Sequence, residues 1–86
     1  MPEISRFFGI IIRMYYNDHA PPHFHAAYQE FSADFDIFTL ERINGNLPQR
    51  AQQLVLEWAD LHRSELKEDW ELARSFCELK KIEPLK

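Results

Sequence analysis

The apolar residues of this chain change period near its middle. Up to about residue 44 they alternate or come in short β-branched and aromatic runs. From Pro48 onward they recur every three or four positions. The first pattern belongs to strands and the second to amphipathic helices. Residues 9–16, Gly-Ile-Ile-Ile-Arg-Met-Tyr-Tyr, predict a strand with apolar side chains on both faces. Asn17 to Pro22 predicts a loop, because Asn and Asp form turns and Pro21-Pro22 cannot donate ladder hydrogen bonds. His23 to Tyr28 and Phe31 to Ile37 predict a hairpin around Gln29-Glu30. Leu40 to Asn44 predicts a further strand, closed by Asn44-Gly45-Asn46.

In the second half, Ala51, Leu54, Val55, Trp58 and Leu61/His62 form one apolar stripe, which Leu66, Trp70, Ala73 and Phe76/Cys77 continue. Asn46 is the expected cap of the first helix, with Pro48 in its first turn. A single helix from Pro48 to Cys77 would run about 45 Å. That is too long for a compact domain of this size, so a break is expected near His62 to Ser64, with Ser64 as the second cap. The fold class expected is α+β: one domain over residues 1–86, with a small antiparallel sheet of three to four strands in the N-terminal half. Two C-terminal helices pack on it. Lys80 to Leu85 is a candidate short edge strand or surface strap.

The alternation divides the hairpin into two faces. Phe24, Ala26, Tyr28, Phe31, Ala33, Phe35 and Ile37 must point to the core. His23, His25, Ser32, Asp34 and Asp36 then share the other face. A two-residue turn at Gln29-Glu30 sets His25 opposite Asp34 and His23 opposite Asp36, with Cβ atoms about 4.5–5.5 Å apart.

Composition narrows the function classes. The 86 residues carry a net charge of −4. Neither half is a basic block, which argues against general nucleic-acid coating, a process that runs on phosphate neutralisation. A local patch would need the fold to gather Arg6, Arg13 and Arg42. Cys77 is the only cysteine, which rules out an internal disulfide and a cysteine-based zinc knuckle. No basic, apolar leader follows Met1, and the longest apolar run falls far short of the roughly 20 residues of a membrane helix. A cytoplasmic protein without a membrane partner is expected.

Three of the four histidines, His19, His23 and His25, fall within seven positions. Imidazole is the commonest metal ligand and titrates near physiological pH. Two chemistries follow. His23 and His25 with Asp34 and Asp36 are the candidate acid–base residues. His19, His23 and His25 are candidate ligands for a divalent metal, the one cofactor considered. Asp18, His19, His23, His25, Asp34 and Asp36 together form the candidate partner or ligand face. The plain alternative is that opposed charges simply keep an exposed hairpin face soluble and paired. His62 reads as a partly buried helix residue, Trp58 and Trp70 as core, and the Glu65–Asp69 region with Arg63, Lys67 and Arg74 as a solvated helix face.

The runs Ile4-Ser5-Arg6-Phe7-Phe8-Gly9-Ile10, Met14-Tyr15-Tyr16-Asn17-Asp18-His19 and Pro21-Pro22-His23-Phe24-His25-Ala26 resemble the bacterial family called domain of unknown function 4160. So do Leu47-Pro48, Glu57-Trp58-Ala59, Leu61-His62, Asp69-Trp70 and Lys81-Ile82-Glu83-Pro84-Leu85. The family often has Gly in the hairpin turn, where this chain has Gln29-Glu30. The resemblance implies a short bacterial protein whose gene neighbours that of another small family, domain of unknown function 2442, in a toxin–antitoxin-like pair. It thereby implies an interaction component that binds a cognate small protein. A ribonuclease-like enzyme, a metal-binding module and a homodimer are the other expectations to be weighed. The family carries over no catalytic residue.

Overall fold

In the computed structural model, which describes residues 2–86, five strands precede two helices. They are β1 (Glu3–Phe7), β2 (Ile10–Arg13), β3 (His23–Tyr28), β4 (Phe31–Asp36), β5 (Arg42–Asn46), α1 (Gln49–Leu61) and α2 (Arg63–Arg74). The strands form one antiparallel meander in the order β1-β2-β3-β4-β5. The fold is α+β, with five strands rather than the three to four expected.

The unexpected strand is β1. A register shift between Glu3 and Ser5 buries both Ile4 and Ser5, so its sequence does not alternate. The β1–β2 turn places Phe8 at φ 50° and Gly9 at φ 80°. Two positive φ values match the twist of a tight hairpin. The strand expected over residues 9–16 ends at Arg13, and the one expected from Leu40 starts at Arg42, because Leu40 itself turns the chain at φ 61°.

The central hairpin has the expected register: Tyr28 opposite Phe31, His25 opposite Asp34, His23 opposite Asp36. Gln29 takes the turn position at φ 54°, a left-handed value that glycine adopts without strain. Phe24, Ala26, Ala33, Phe35 and Ile37 are buried, and Tyr28 and Phe31 pack at the margin of the core.

Both helices cover this apolar face. Ala51, Val55, Trp58 and Ala59 of α1 and Leu66, Trp70 and Ala73 of α2 are buried. Trp58 is fully buried between Phe7 and Phe24, with ring centroids at 5.4 and 5.9 Å. The helices break at His62, as the length argument requires: an unbroken helix would run about 39 Å, beyond the 33 Å longest extent of the molecule. The caps differ from expectation. Pro48 precedes α1 without any side-chain cap, while Asn46 accepts from Arg42 instead. His62, not Ser64, precedes α2, and its Nδ1 pairs with Glu65. Asp69 does not belong to a solvated face. It is 1% exposed, its Oδ1 accepts from the Lys80 amide, and its Oδ2 has no partner.

The C-terminal tail is not an edge strand. It lies across the β1 side as a strap, with Ile82 N donating to Ile4 O at 2.8 Å and Trp58 Nε1 donating to Glu83 O at 2.8 Å. Among the described residues no helix is long and apolar enough to cross a membrane.

Candidate metal centre

The second sheet face, away from the helices, carries two complete cross-strand rows. One runs Arg6–Ile11–Ala27–Ser32–Asn46, the other Glu3–Arg13–His25–Asp34–Asn44. Arg6 and Arg13 thus share a face, and Arg42 joins it through its bond to Asn46 at 2.8 Å. The three do not make an open basic patch. Arg6 is paired in two bonds to Glu3, and Arg42 is engaged by Asn46.

The histidine cluster gathers around a residue of the loop between β2 and β3. Asp18 is positioned by its neighbours on both sides. Its Oδ1 accepts from the His19 amide at 2.9 Å and lies 3.0 Å from His19 Nδ1. Its loop is tied to α2 by Asn17 N donating to Ala73 O at 3.1 Å. These contacts leave Oδ2 facing two imidazoles: 3.0 Å from His23 Nε2 and 3.3 Å from His25 Nε2.

Both rings are oriented from behind. His23 Nδ1 donates to Pro21 O at 2.6 Å. His25 Nδ1 lies 2.6 Å from Asp34 Oδ1. A carbonyl oxygen has no proton to give, so His23 Nδ1 carries the hydrogen. Nε2 of the same ring then has two options opposite a carboxylate. It carries a second proton, or it offers a lone pair to a cation held jointly with Asp18. With Asp34 accepting from its Nδ1, His25 presents Nε2 to the same Asp18 oxygen. Carboxylate or carbonyl on one ring nitrogen and metal on the other is the usual arrangement of a ligating histidine.

The dimensions fit a metal. With zinc bonds of roughly 2.0–2.1 Å, ligand separations of 3.0 and 3.3 Å correspond to angles of roughly 95° and 107° at the ion. Asp18, His23 and His25 offer ligand atoms within 4.8 Å of one another. Burial opposes the charge on Asp18. The His19 amide, the His25 ring and the nearby His23 and His19 outweigh it, and hold the carboxyl below its usual range.

The expected site residues separate into three groups. Asp18, His23 and His25 converge, and Asp34 supports His25. His19, expected as a ligand, instead holds the far oxygen of Asp18 with an 89% exposed side chain. Asp36, expected beside His23, is opposite it along the backbone only. Its Oδ1 accepts from the Phe38 and Thr39 amides at 2.7 and 2.9 Å and caps the following turn. His23 is not on an open face. As the first residue of β3 it sits where α2 and the Asn17 loop close the sheet end, and its ring packs 5.3 Å from Trp70. Asp18 was expected in the partner or ligand face and not as a metal ligand, because loop residues carry no periodicity from which a direction can be read.

A hollow of about 210 Å³ opens over the cluster, lined by His19, Pro21, Ile43 and Asn44 as well as by the three converging residues and Asp34. A family model described as Domain of unknown function (DUF4160) matches residues 9–71, a span that contains the whole cluster. No curated protein and no solved structure matches the chain.

Proposed function

Since this chain belongs to the DUF4160 family, whose description assigns no chemistry, we propose its function from the geometry alone: it is a divalent-metal-binding protein with Asp18, His23 and His25 as ligands. One observation carries this reading. Two ring nitrogens point at a single carboxylate oxygen while the opposite nitrogen of each ring is already engaged by an acceptor. Two imidazoles and a carboxylate suit zinc or another first-row divalent ion. Three protein ligands leave coordination positions open toward the hollow, as in catalytic rather than structural zinc sites.

Elemental analysis of untagged protein, purified with zinc, iron and manganese supplied in turn, tests the proposal. About one equivalent of one metal per chain is expected, lost in Asp18→Asn. Metal far below one equivalent in every preparation would overturn it.

A second reading draws on apolar side chains exposed at several places on the molecule. Phe8, Phe38, Leu61 and Phe76 are each more than half exposed. Aromatic side chains are enriched at the centres of protein interfaces, which supports the interaction component of a two-gene module binding a cognate small protein. Co-expression with the neighbouring gene product should give a complex that survives gel filtration. Separate elution with unchanged melting temperatures would count against it. The two readings are compatible, since these side chains lie outside the metal ligands.

A further inference from the structure

The hollow above the three ligands has walls of defined chemistry. Pro21 and Ile43 are apolar, and Ile43 is 47% exposed at the rim. Asn44, on the edge strand β5, is the cross-strand neighbour of Asp34, which in turn faces His25. The amide of Asn44 has a fixed orientation, because its Oδ1 accepts from the Gly45 N–H at 2.9 Å. Its Nδ2 therefore remains as a donor with no acceptor among the described residues. Asp34 has one oxygen committed to His25 Nδ1. The other is free to accept.

The charges select among ligands. A divalent ion on Asp18 and two neutral imidazoles leaves one positive charge at the metal, so a monoanion is favoured on its open position. The Asp34 carboxylate beside it opposes a second negative charge, as like charges at this range repel. The volume, below the roughly 300–1,000 Å³ of drug-sized pockets, excludes a nucleotide or a polymer segment held wholly inside.

From these features we infer that the hollow takes a small monoanionic carboxylic acid, or a hydroxamate of the same shape, bound on the metal and oriented by Asn44. Asn44 Nδ2 donates to the metal-bound acid group, the free Asp34 oxygen accepts from a protic substituent on the ligand, and Pro21 and Ile43 contact its short apolar body. Asn44 is a specificity residue in this scheme and takes no part in holding the metal. The inference rests on the metal reading above.

Cobalt(II) titration of the full chain gives both answers in one experiment. The visible bands of the loaded protein report metal occupancy first, and acetohydroxamate is then titrated against them. Wild type and Asn44→Leu should load about one cobalt each, while the hydroxamate should bind at least tenfold more weakly to Asn44→Leu. Asn44→Asp, which keeps the bond to Gly45 N–H but replaces the donor by an acceptor, should weaken binding at least as much at an unchanged melting temperature. It serves as the control should the leucine variant fold poorly. Equal hydroxamate affinity in loaded wild type and Asn44→Asp would overturn the inference and leave the metal site standing. So would inorganic phosphate displacing the hydroxamate more readily than acetate does. Cobalt failing to load on wild type would overturn the metal reading and the inference with it.

Discussion

Oδ2 of Asp18 lies 3.0 Å from Nε2 of His23, whose Nδ1 already donates to a backbone carbonyl at 2.6 Å. The relationship joins a loop residue to the first residue of a strand five positions later, and it makes Asp18 the centre of the site. In the proposed metal site Asp34 would stand behind His25 as outer carboxylates stand behind ligating histidines, a role commonly worth about 10–100-fold in metal affinity. Asp34→Asn is therefore expected to weaken zinc binding by that factor, and Asp36→Asn to leave it unchanged. Competition with a chromophoric chelator measures both.

The packing of His23 on Trp70, at 5.3 Å between ring centroids, gives metal binding an optical report. Zinc should change the tryptophan emission of the wild type. Trp70→Phe should abolish most of that change, while Trp58→Phe, which alters a ring buried against Phe7 and Phe24, should keep it. A zinc response that survives in Trp70→Phe would mean the ion sits elsewhere.

The two glycines differ in what surrounds them. A Cβ on Gly45 would meet Ser32 O at 2.2 Å and Ala33 Cα at 2.9 Å, both backbone, at φ +76°. On Gly9 it would meet only the Tyr28 ring, at 3.4 Å, at φ +80°. Gly9→Ala carries the left-handed backbone cost, about 1 kcal/mol. Gly45→Ala adds a clash that strand β4 cannot relieve without moving, for a total of about 2–4 kcal/mol. In a domain of this size each kcal/mol shifts the melting temperature by about 4–8 °C. Thermal unfolding of the two alanine variants should separate them clearly.

Asp69 supplies a pH dependence of known sign. Burial raises its pKa, with Glu68 and Glu65 adding to the effect, against the Lys80 amide and charge that lower it. A carboxyl with a raised folded-state pKa stabilises the fold most below its unfolded value, and that contribution is lost as pH rises through the folded value. Asp69→Asn keeps an oxygen for the Lys80 amide and removes the charge. The variant should melt above wild type at pH 7, and the gap should close as pH falls toward 4. Parallel melting curves across that range, with a constant gap, would show that Asp69 does not titrate as described.

The sequence by itself determined the α+β class, the two faces of the central hairpin with the register that a two-residue turn gives it, and a helix break near His62 to Ser64. Each follows from a periodic requirement: Phe24, Ala26, Ala33 and Phe35 must share one side, and an unbroken helix would outrun the sheet it covers. It also set His25 against Asp34 and His23 against Asp36, and the side chains of the first pair meet, since strand pairing converts alternation into proximity. Only the tertiary structure decided the rest. Strand β1 is hidden in the sequence because a bulge buries Ile4 and Ser5 together. Asp36 is drawn to the amides of its own turn, so its register opposite His23 has no side-chain consequence. The direction of Asp18, the burial of His23 under Trp70 and the burial of Asp69 beneath the C-terminal strap depend on loops and helices docking on the sheet. Those contacts are long-range, and no spacing along the chain encodes them.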